Sequence, residues 1–205
     1  MPPKVRVMGI CGSLEKNNRT MTALKTALRG AADAGADTDV IDLRTLALPI
    51  LGSPFTHPTS DADVQKLKLA IRGADAILLC SPEYHGSMSG ALKNALDWTG
   101  FEEFEGKMTG LIGIAGGAMG ATETLTHLRA VCRQLHAWVI PEQVSIANSK
   151  AMLDGEKVND PAIEERLRNL GKQAARFAFL HQYSKADEFV KQWEQSVANP
   201  GGEGR

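Results

Sequence analysis

The chain has 205 residues, of which 43% are hydrophobic and 23% charged, so it suits one globular domain with at most a short appendage. A net charge of −1 gives no electrostatic case for nucleic acid or an anionic membrane as a partner. No apolar run approaches the ~20 residues that span a bilayer. The first residues also lack the apolar core of a signal peptide, so we expect a cytoplasmic protein.

The chain alternates short runs typical of strands with longer runs of helical periodicity. Strands are predicted at 5–11, 38–43, 74–81, 108–115 and 138–144. Helices are predicted at 20–34, 61–71, 90–98, 121–135 and 161–182. Such alternation indicates an α/β protein in which a doubly wound, five-stranded parallel sheet carries helices on both faces. The flavodoxin strand order 2-1-3-4-5 and the Rossmann order both fit. In either order ligands bind beyond the carboxyl ends of the strands, so functional residues should follow strands one, three and four.

The loop after the first strand is rich in small polar residues. Ser13, Asn17, Asn18 and Thr20 precede a helix, where hydroxyls, side-chain amides and backbone N–H groups form an anion site. Neither the Walker lysine pattern nor G-x-G-x-x-G occurs, which disfavours an NTP-hydrolysing P-loop and a Rossmann dehydrogenase. We therefore predict a phosphate site here. The alternative is that Asn18 or Thr20 only caps the helix.

The loop after the third strand, residues 82–90, combines Tyr84, His85 and freely exposed backbone. A flat heteroaromatic ring fits such a lining, because it needs a plane to lie against and N–H donors along its polar edge. Alternatively, His85 is an exposed loop residue and Tyr84 anchors the loop. Ser89 is placed to cap the helix that follows.

The loop after the fourth strand, residues 115–120, contains three glycines, more than a turn requires. We expect them to let a ligand approach the backbone closely, with a tight strand-to-helix turn as the alternative.

The cysteines and an acidic run are interpreted as structural rather than functional. The three cysteines have no metal-ligand spacing and are expected to be small buried hydrophobes, namely Cys11, Cys80 and Cys132. The acidic run formed by Glu102, Glu103 and Glu105 is interpreted as a solvated loop.

Residues 81–98 read SPEYHGSMSGALKNALDW. This segment resembles the S-P-E-Y-N-x-S-x-P-G-x-L-K-N-A-x-D-W signature of the NADPH-dependent FMN reductase family, whose members are flavodoxin-like. GSL at 12–14 and AGG at 115–117 match less specific elements of the family, and the resemblance covers roughly 4–180.

The resemblance implies that FMN is the cofactor and that NADPH or NADH is the electron donor. It implies phosphate contacts from Ser13, Asn18, Arg19 and Thr20. It implies an isoalloxazine lining formed by Pro82, Glu83, Tyr84, His85, Gly86 and Ser87. It implies that Gly116, Gly117 and Met119 close the other side of the isoalloxazine site. No catalytic residue beyond these flavin-positioning groups is implied.

Three positions depart from the family pattern. Glu15 stands where an arginine is frequent, and we expect its carboxylate to point away from the phosphate while Lys16 or Arg19 supplies positive charge. His85 replaces an asparagine, and Ser89 replaces a proline.

The implied activity is transfer of electrons from NADPH through bound FMN to a small acceptor by a ping-pong mechanism. The acceptor is a free flavin, a quinone, an azo compound or a metal oxyanion. Two alternatives stay open: a flavodoxin-type electron carrier, and a flavin-binding regulatory module without nucleotide turnover. The resemblance also implies a homodimer or homotetramer. We expect residues 1–183 to form the FMN-binding domain, and 184–205 to form a helical extension with a disordered tail that docks on its own subunit or on a partner subunit.

Overall fold

The computed structural model describes residues 4–16, 18–54 and 60–183. The predicted extension at 184–205 therefore lies outside the described residues.

Five parallel strands form the sheet. They are β1 (Arg6–Cys11), β2 (Asp37–Asp42), β3 (Ala76–Tyr84), β5 (Met108–Ile114) and β6 (Trp138–Ile146). Their order is β2-β1-β3-β5-β6, and the short β4 (Ser87–Met88) pairs antiparallel with the end of β3. Apart from the number that β4 takes, this is the predicted flavodoxin order, so the fold prediction is confirmed. The three central strands are buried on both faces, which explains their continuous apolar sequences.

Among the described residues, seven α-helices connect and cover the strands. They are α1 (Arg19–Asp33), α2 (Ser60–Arg72), α3 (Gly90–Asp97), α4 (Phe101–Phe104), α5 (Thr122–Gln134), α6 (Ser149–Met152) and α7 (Pro161–Tyr183). The helices α1 and α7 pack on one face of the sheet, and α2, α3 and α5 pack on the other. The short helices α4 and α6 were not predicted.

The helices α1 and α7 touch through glycines. A methyl group built on Gly171 would lie 1.8 Å from the carbonyl oxygen of Ala27, and one built on Gly30 would lie 2.0 Å from the carbonyl oxygen of Arg168. The two backbones are therefore in direct contact, and no larger side chain fits at either position.

The acidic run after α3 is a short helix rather than a loop and is only partly solvated, because Glu102 and Glu105 are exposed and Glu103 is not; this corrects the sequence-based interpretation. Glu103 lies in α4 and is 1% exposed. Its carboxylate accepts hydrogen bonds from Arg72 Nε at 2.8 Å and from the Gly100 N–H at 2.8 Å. Nearby, the buried Lys107 ammonium donates to the carbonyls of Ile71 and Arg72, and burial lowers the pKa of Lys107 to about 8. These contacts join the end of α2 to the segment before β5.

The three cysteines are free and buried, as predicted. Burial raises the pKa of all three thiols, that of Cys132 to about 12. The reactive thiolate form is therefore disfavoured at neutral pH.

Candidate functional site

A cleft of about 180 Å³ opens at the carboxyl ends of the strands. It lies between the loops after β1, β3 and β5 and the connection after β6. Eleven residues line it: Ser13, Glu15, Arg19, Thr20, Pro82, Glu83, Tyr84, Ile114, Gly116, Ser149 and Lys150. The structure thus brings together residues from all three loops that the strand order singled out.

One end of the cleft is the amino terminus of α1. Asn18 caps this helix, because its side-chain oxygen accepts from the Met21 N–H at 3.0 Å and its amide donates to the Ser13 carbonyl at 3.2 Å. The predicted alternative role of Asn18 as a cap is therefore confirmed, and Asn18 is not among the lining residues. The N–H groups of Arg19 and Thr20 precede the first helical hydrogen bond, so they stay available to an anion.

Two side chains of α1 and its preceding loop complete this end. Ser13 is buried, and its hydroxyl oxygen accepts from the Glu15 N–H at 3.3 Å. The Arg19 guanidinium donates through Nε to the Leu153 carbonyl at 3.1 Å, which holds its charge beside the helix terminus.

The other end of the cleft is a hairpin rather than the predicted loop. β3 continues through Tyr84 and turns at His85 and Gly86, whose φ angles are 51° and 75°. Positive φ at both central residues is the pattern of a type I′ turn, in which asparagine followed by glycine is favoured. His85 therefore occupies the first turn position, where the family pattern has the asparagine that type I′ turns favour, and histidine is itself among the residues enriched at positive φ.

The hairpin divides the predicted ring-lining residues into two groups. Pro82, Glu83 and Tyr84 line the cleft, whereas the turn residues His85 and Gly86 and the following Ser87 are not among its lining residues. The Glu83 carboxylate is fixed by the Thr124 N–H at 3.1 Å. Burial, together with the nearby charge of Glu15, raises the pKa of the Tyr84 phenol, so Tyr84 stays neutral at physiological pH.

The glycine-rich loop after β5 is partly a turn and partly open backbone. Gly120 has φ 74° and lies against Ser145, as a tight turn requires. In contrast, a methyl group built on Gly116 or Gly117 would have no heavy atom within 4 Å. Gly116 lines the cleft, while Gly117 and the 93% exposed Met119 do not.

Ser89 ties the first two loops together. Its hydroxyl accepts from the Leu92 N–H and donates to the Gly12 carbonyl at 2.5 Å, and its own N–H donates to Ser81 Oγ at 2.9 Å. The predicted capping role of Ser89 is confirmed. A proline at this position would lack both the hydroxyl and the N–H, so the departure from the family pattern adds contacts.

Three lining residues were not predicted from the sequence. Glu15 also belongs to the lining, and the expected orientation of its carboxylate away from the phosphate stays a prediction. Ile114 lies inside the strand predicted at 108–115 and was not expected to line a site. Ser149 and Lys150 were not predicted, because the last strand was expected to end at residue 144 and instead continues to Ile146. Lys150 follows Ile146, the observed end of this strand, by four residues, so the correct strand end would have placed Lys150 near the carboxyl edge of the sheet.

Other kinds of site find no support in the part of the chain that the structure describes. Across 4–16, 18–54 and 60–183, no group of three or more histidine, cysteine or acidic residues could hold a metal ion. No helix within these ranges is long and apolar enough to cross a membrane. A larger cavity of about 350 Å³ lies between the ends of α1 and α7, lined in part by Lys4, Ala36 and Phe179, and contains none of the predicted site residues.

Comparison with known proteins finds a matching family model and relatives of similar sequence. Residues 5–151 match the model of the family described as NADPH-dependent FMN reductase. The chain is 36% identical over 132 residues to a NADPH azoreductase of Bacillus sp. strain OY1-2, covering 64% of this chain and 70% of that protein. It is 36% identical over 155 residues to an FMN-dependent NADPH-azoreductase of Staphylococcus saprophyticus, covering 74% and 79%.

Solved structures show the same fold. An apo NADH:FMN oxidoreductase (EMOB) superimposes with a TM-score of 0.69 at 20% identity, covering 85% of this chain and 90% of that one. FerB, a flavoenzyme NAD(P)H:(acceptor) oxidoreductase from Paracoccus denitrificans, gives 0.61 at 24% identity, covering 87% and 99%. A flavodoxin from the domain Archaea gives 0.58 at 14% identity, covering 85% and 99%.

Proposed function

The chain belongs to the NADPH-dependent FMN reductase family, and we propose that its cleft binds FMN and passes electrons from NADPH to a small acceptor. It is an oxidoreductase that uses FMN and NADPH. The observation that carries the proposal is the pairing, in one cleft, of an anion site at a helix terminus with open, uncharged backbone.

The residues of the cleft fit FMN. At one end, the backbone N–H groups of Arg19 and Thr20, the Ser13 hydroxyl and the Lys150 ammonium form a donor set that suits a phosphate. At the other end, Pro82 and Tyr84 offer a flat and neutral surface. Gly116 leaves room between them, because no side chain occupies its outer face.

The chemistry that FMN supplies when bound is acceptance of a hydride from a nicotinamide and release of electrons to an acceptor. The residues of the chain hold and orient the cofactor for that exchange. With FMN bound, the loop backbone near Pro82 and Gly116 would provide fixed dipoles that stabilise a negatively charged ring without reorganisation. The raised pKa of Tyr84 keeps its phenol uncharged beside the ring. No side-chain base is needed for hydride transfer.

Two substrates that share one open side of a cleft bind in turn, so we propose a ping-pong mechanism. The proposed acceptors are free flavins, quinones, azo compounds and metal oxyanions. Azo compounds are the first to test, because the two azoreductases above are each 36% identical to this chain. A flavodoxin-type electron carrier is the second candidate, favoured only by the likeness of the fold to a flavodoxin.

We propose further that the chain forms a homodimer or homotetramer, with the α3 face as one contact. Sedimentation at micromolar concentration tests this assembly, and a monomer would contradict it.

Anaerobic mixing of the FMN-loaded protein with NADPH tests the activity. We expect the yellow absorbance to bleach within seconds and to return when a quinone or azo compound is added. If the flavin binds but neither NADPH nor NADH bleaches it, the enzyme proposal fails, and the electron carrier or the regulatory module takes its place.

A further inference from the structure

The connection between β6 and α7 forms a fourth wall of the cleft. Its residues 148 and 149 donate backbone hydrogen bonds to the carbonyls of Gly117 and Ala115 in the loop after β5. Further along, its carbonyls at Leu153 and Gly155 accept from the side chains of Arg19 and Thr22 on α1. The connection is therefore anchored both to the glycine-rich loop and to the first turns of α1.

This anchoring brings a second cation into the lining of the cleft, on a connection that is bonded on one side to the glycine-rich loop and on the other side to α1. Ser149 and Lys150 both line the cleft, and Lys150 is exposed. Among the residues that the structure describes, the Lys150 ammonium has no hydrogen-bond or ion-pair partner. The backbone that carries this cation is therefore anchored, and no side chain in the described ranges pairs with its ammonium group.

The charge balance of the cleft gives this cation a role. A phosphate monoester carries about −1.5 to −2 charges at pH 7. Four charged side chains line the cleft: Arg19 and Lys150 are positive, and Glu15 and Glu83 are negative. Their formal charges cancel, so without Lys150 the lining would be net negative and would repel a phosphate.

We propose that Lys150 is a specificity-determining residue that pairs with the FMN phosphate, offsets Glu15 and makes the cleft select FMN over riboflavin. This inference rests on the proposed function, because it requires that FMN binds in the cleft. It concerns the choice between two flavins that differ only by the phosphate.

The test compares the dissociation constants of FMN and riboflavin, measured by quenching of flavin fluorescence on the apo-protein. For Lys150→Gln we expect FMN binding to weaken about tenfold and riboflavin binding to stay unchanged. Lys157→Gln is the matched control, because Lys157 lies exposed on the same connection but outside the lining. It removes the same charge and should change neither constant. Glu15→Gln should strengthen FMN binding relative to riboflavin.

Other outcomes overturn the inference in distinguishable ways. Equal weakening of both flavins by Lys150→Gln would mean that Lys150 acts on the ring or on the fold. Unchanged FMN binding with a raised KM for NADPH would assign Lys150 to the nucleotide. If the unsubstituted protein binds no FMN, the proposed function itself fails. If it binds FMN and Lys150→Gln leaves the ratio of the two constants unchanged, only the role of Lys150 fails.

Discussion

Replacement of Gly171 by alanine is expected to lower the free energy of unfolding by about 3 kcal/mol. The new methyl group would lie 1.8 Å from the Ala27 carbonyl oxygen, which belongs to helix backbone and cannot rotate away. The helices α1 and α7 would have to separate, and the buried alanines around the crossing would lose contact. The higher helix propensity of alanine recovers only about 1 kcal/mol of this loss.

Urea denaturation of Gly171→Ala and of Gly90→Ala measures the effect against a matched control. Gly90 also lies in a helix, at the start of α3, but a methyl group there has no heavy atom within 4 Å. We expect the control to stay within about 0.5 kcal/mol of the unsubstituted protein. Equal stability of the two variants would show that the helices do not touch through their backbones.

Substitution of Glu103 by glutamine is expected to cost about 2–3 kcal/mol of stability. The two carboxylate oxygens each accept a hydrogen bond, one from Arg72 and one from the Gly100 N–H. Glutamine has one oxygen, so its NH₂ group would face a donor in a buried site. The Arg72 side chain is 39% exposed, so water can solvate the guanidinium in the variant. The expected loss of stability is therefore smaller than for a fully buried ion pair.

Glu102→Gln is the control for this substitution. Glu102 pairs with the same arginine from the same short helix, but its side chain is 77% exposed. Exposed ion pairs contribute about 0–1 kcal/mol, so the control should scarcely shift the denaturation midpoint. Similar losses for the two glutamates would contradict the buried role assigned to Glu103.

The fold could be predicted because its signals are local. Continuous apolar runs identify central parallel strands, and the strand order then determines which loops share an edge. The sequence could not show the burial of Glu103, because a glutamate run indicates exposure unless its partner is known. That partner, Arg72, lies 31 residues away.

The site was only partly predictable for a similar reason. Pro82 and the polar residues that follow it are typical of a loop, yet the hairpin pairing of Glu83 with Met88 extends the strand to Tyr84. Lys150 follows a strand whose end was placed too early. Its position depends on hydrogen bonds to the loop after β5, and such contacts between distant segments leave no periodic pattern in the sequence.

The central claim is that FMN binds in the cleft between α1, the hairpin and the glycine-rich loop. The FMN dissociation constant of Gly116→Leu tests it most directly, because this glycine lines the cleft and has open space in place of a side chain. We predict binding about 100-fold weaker, equivalent to about 2.8 kcal/mol, with an unchanged thermal unfolding midpoint. Unchanged FMN affinity in a folded Gly116→Leu variant would contradict the claim and place the cofactor elsewhere.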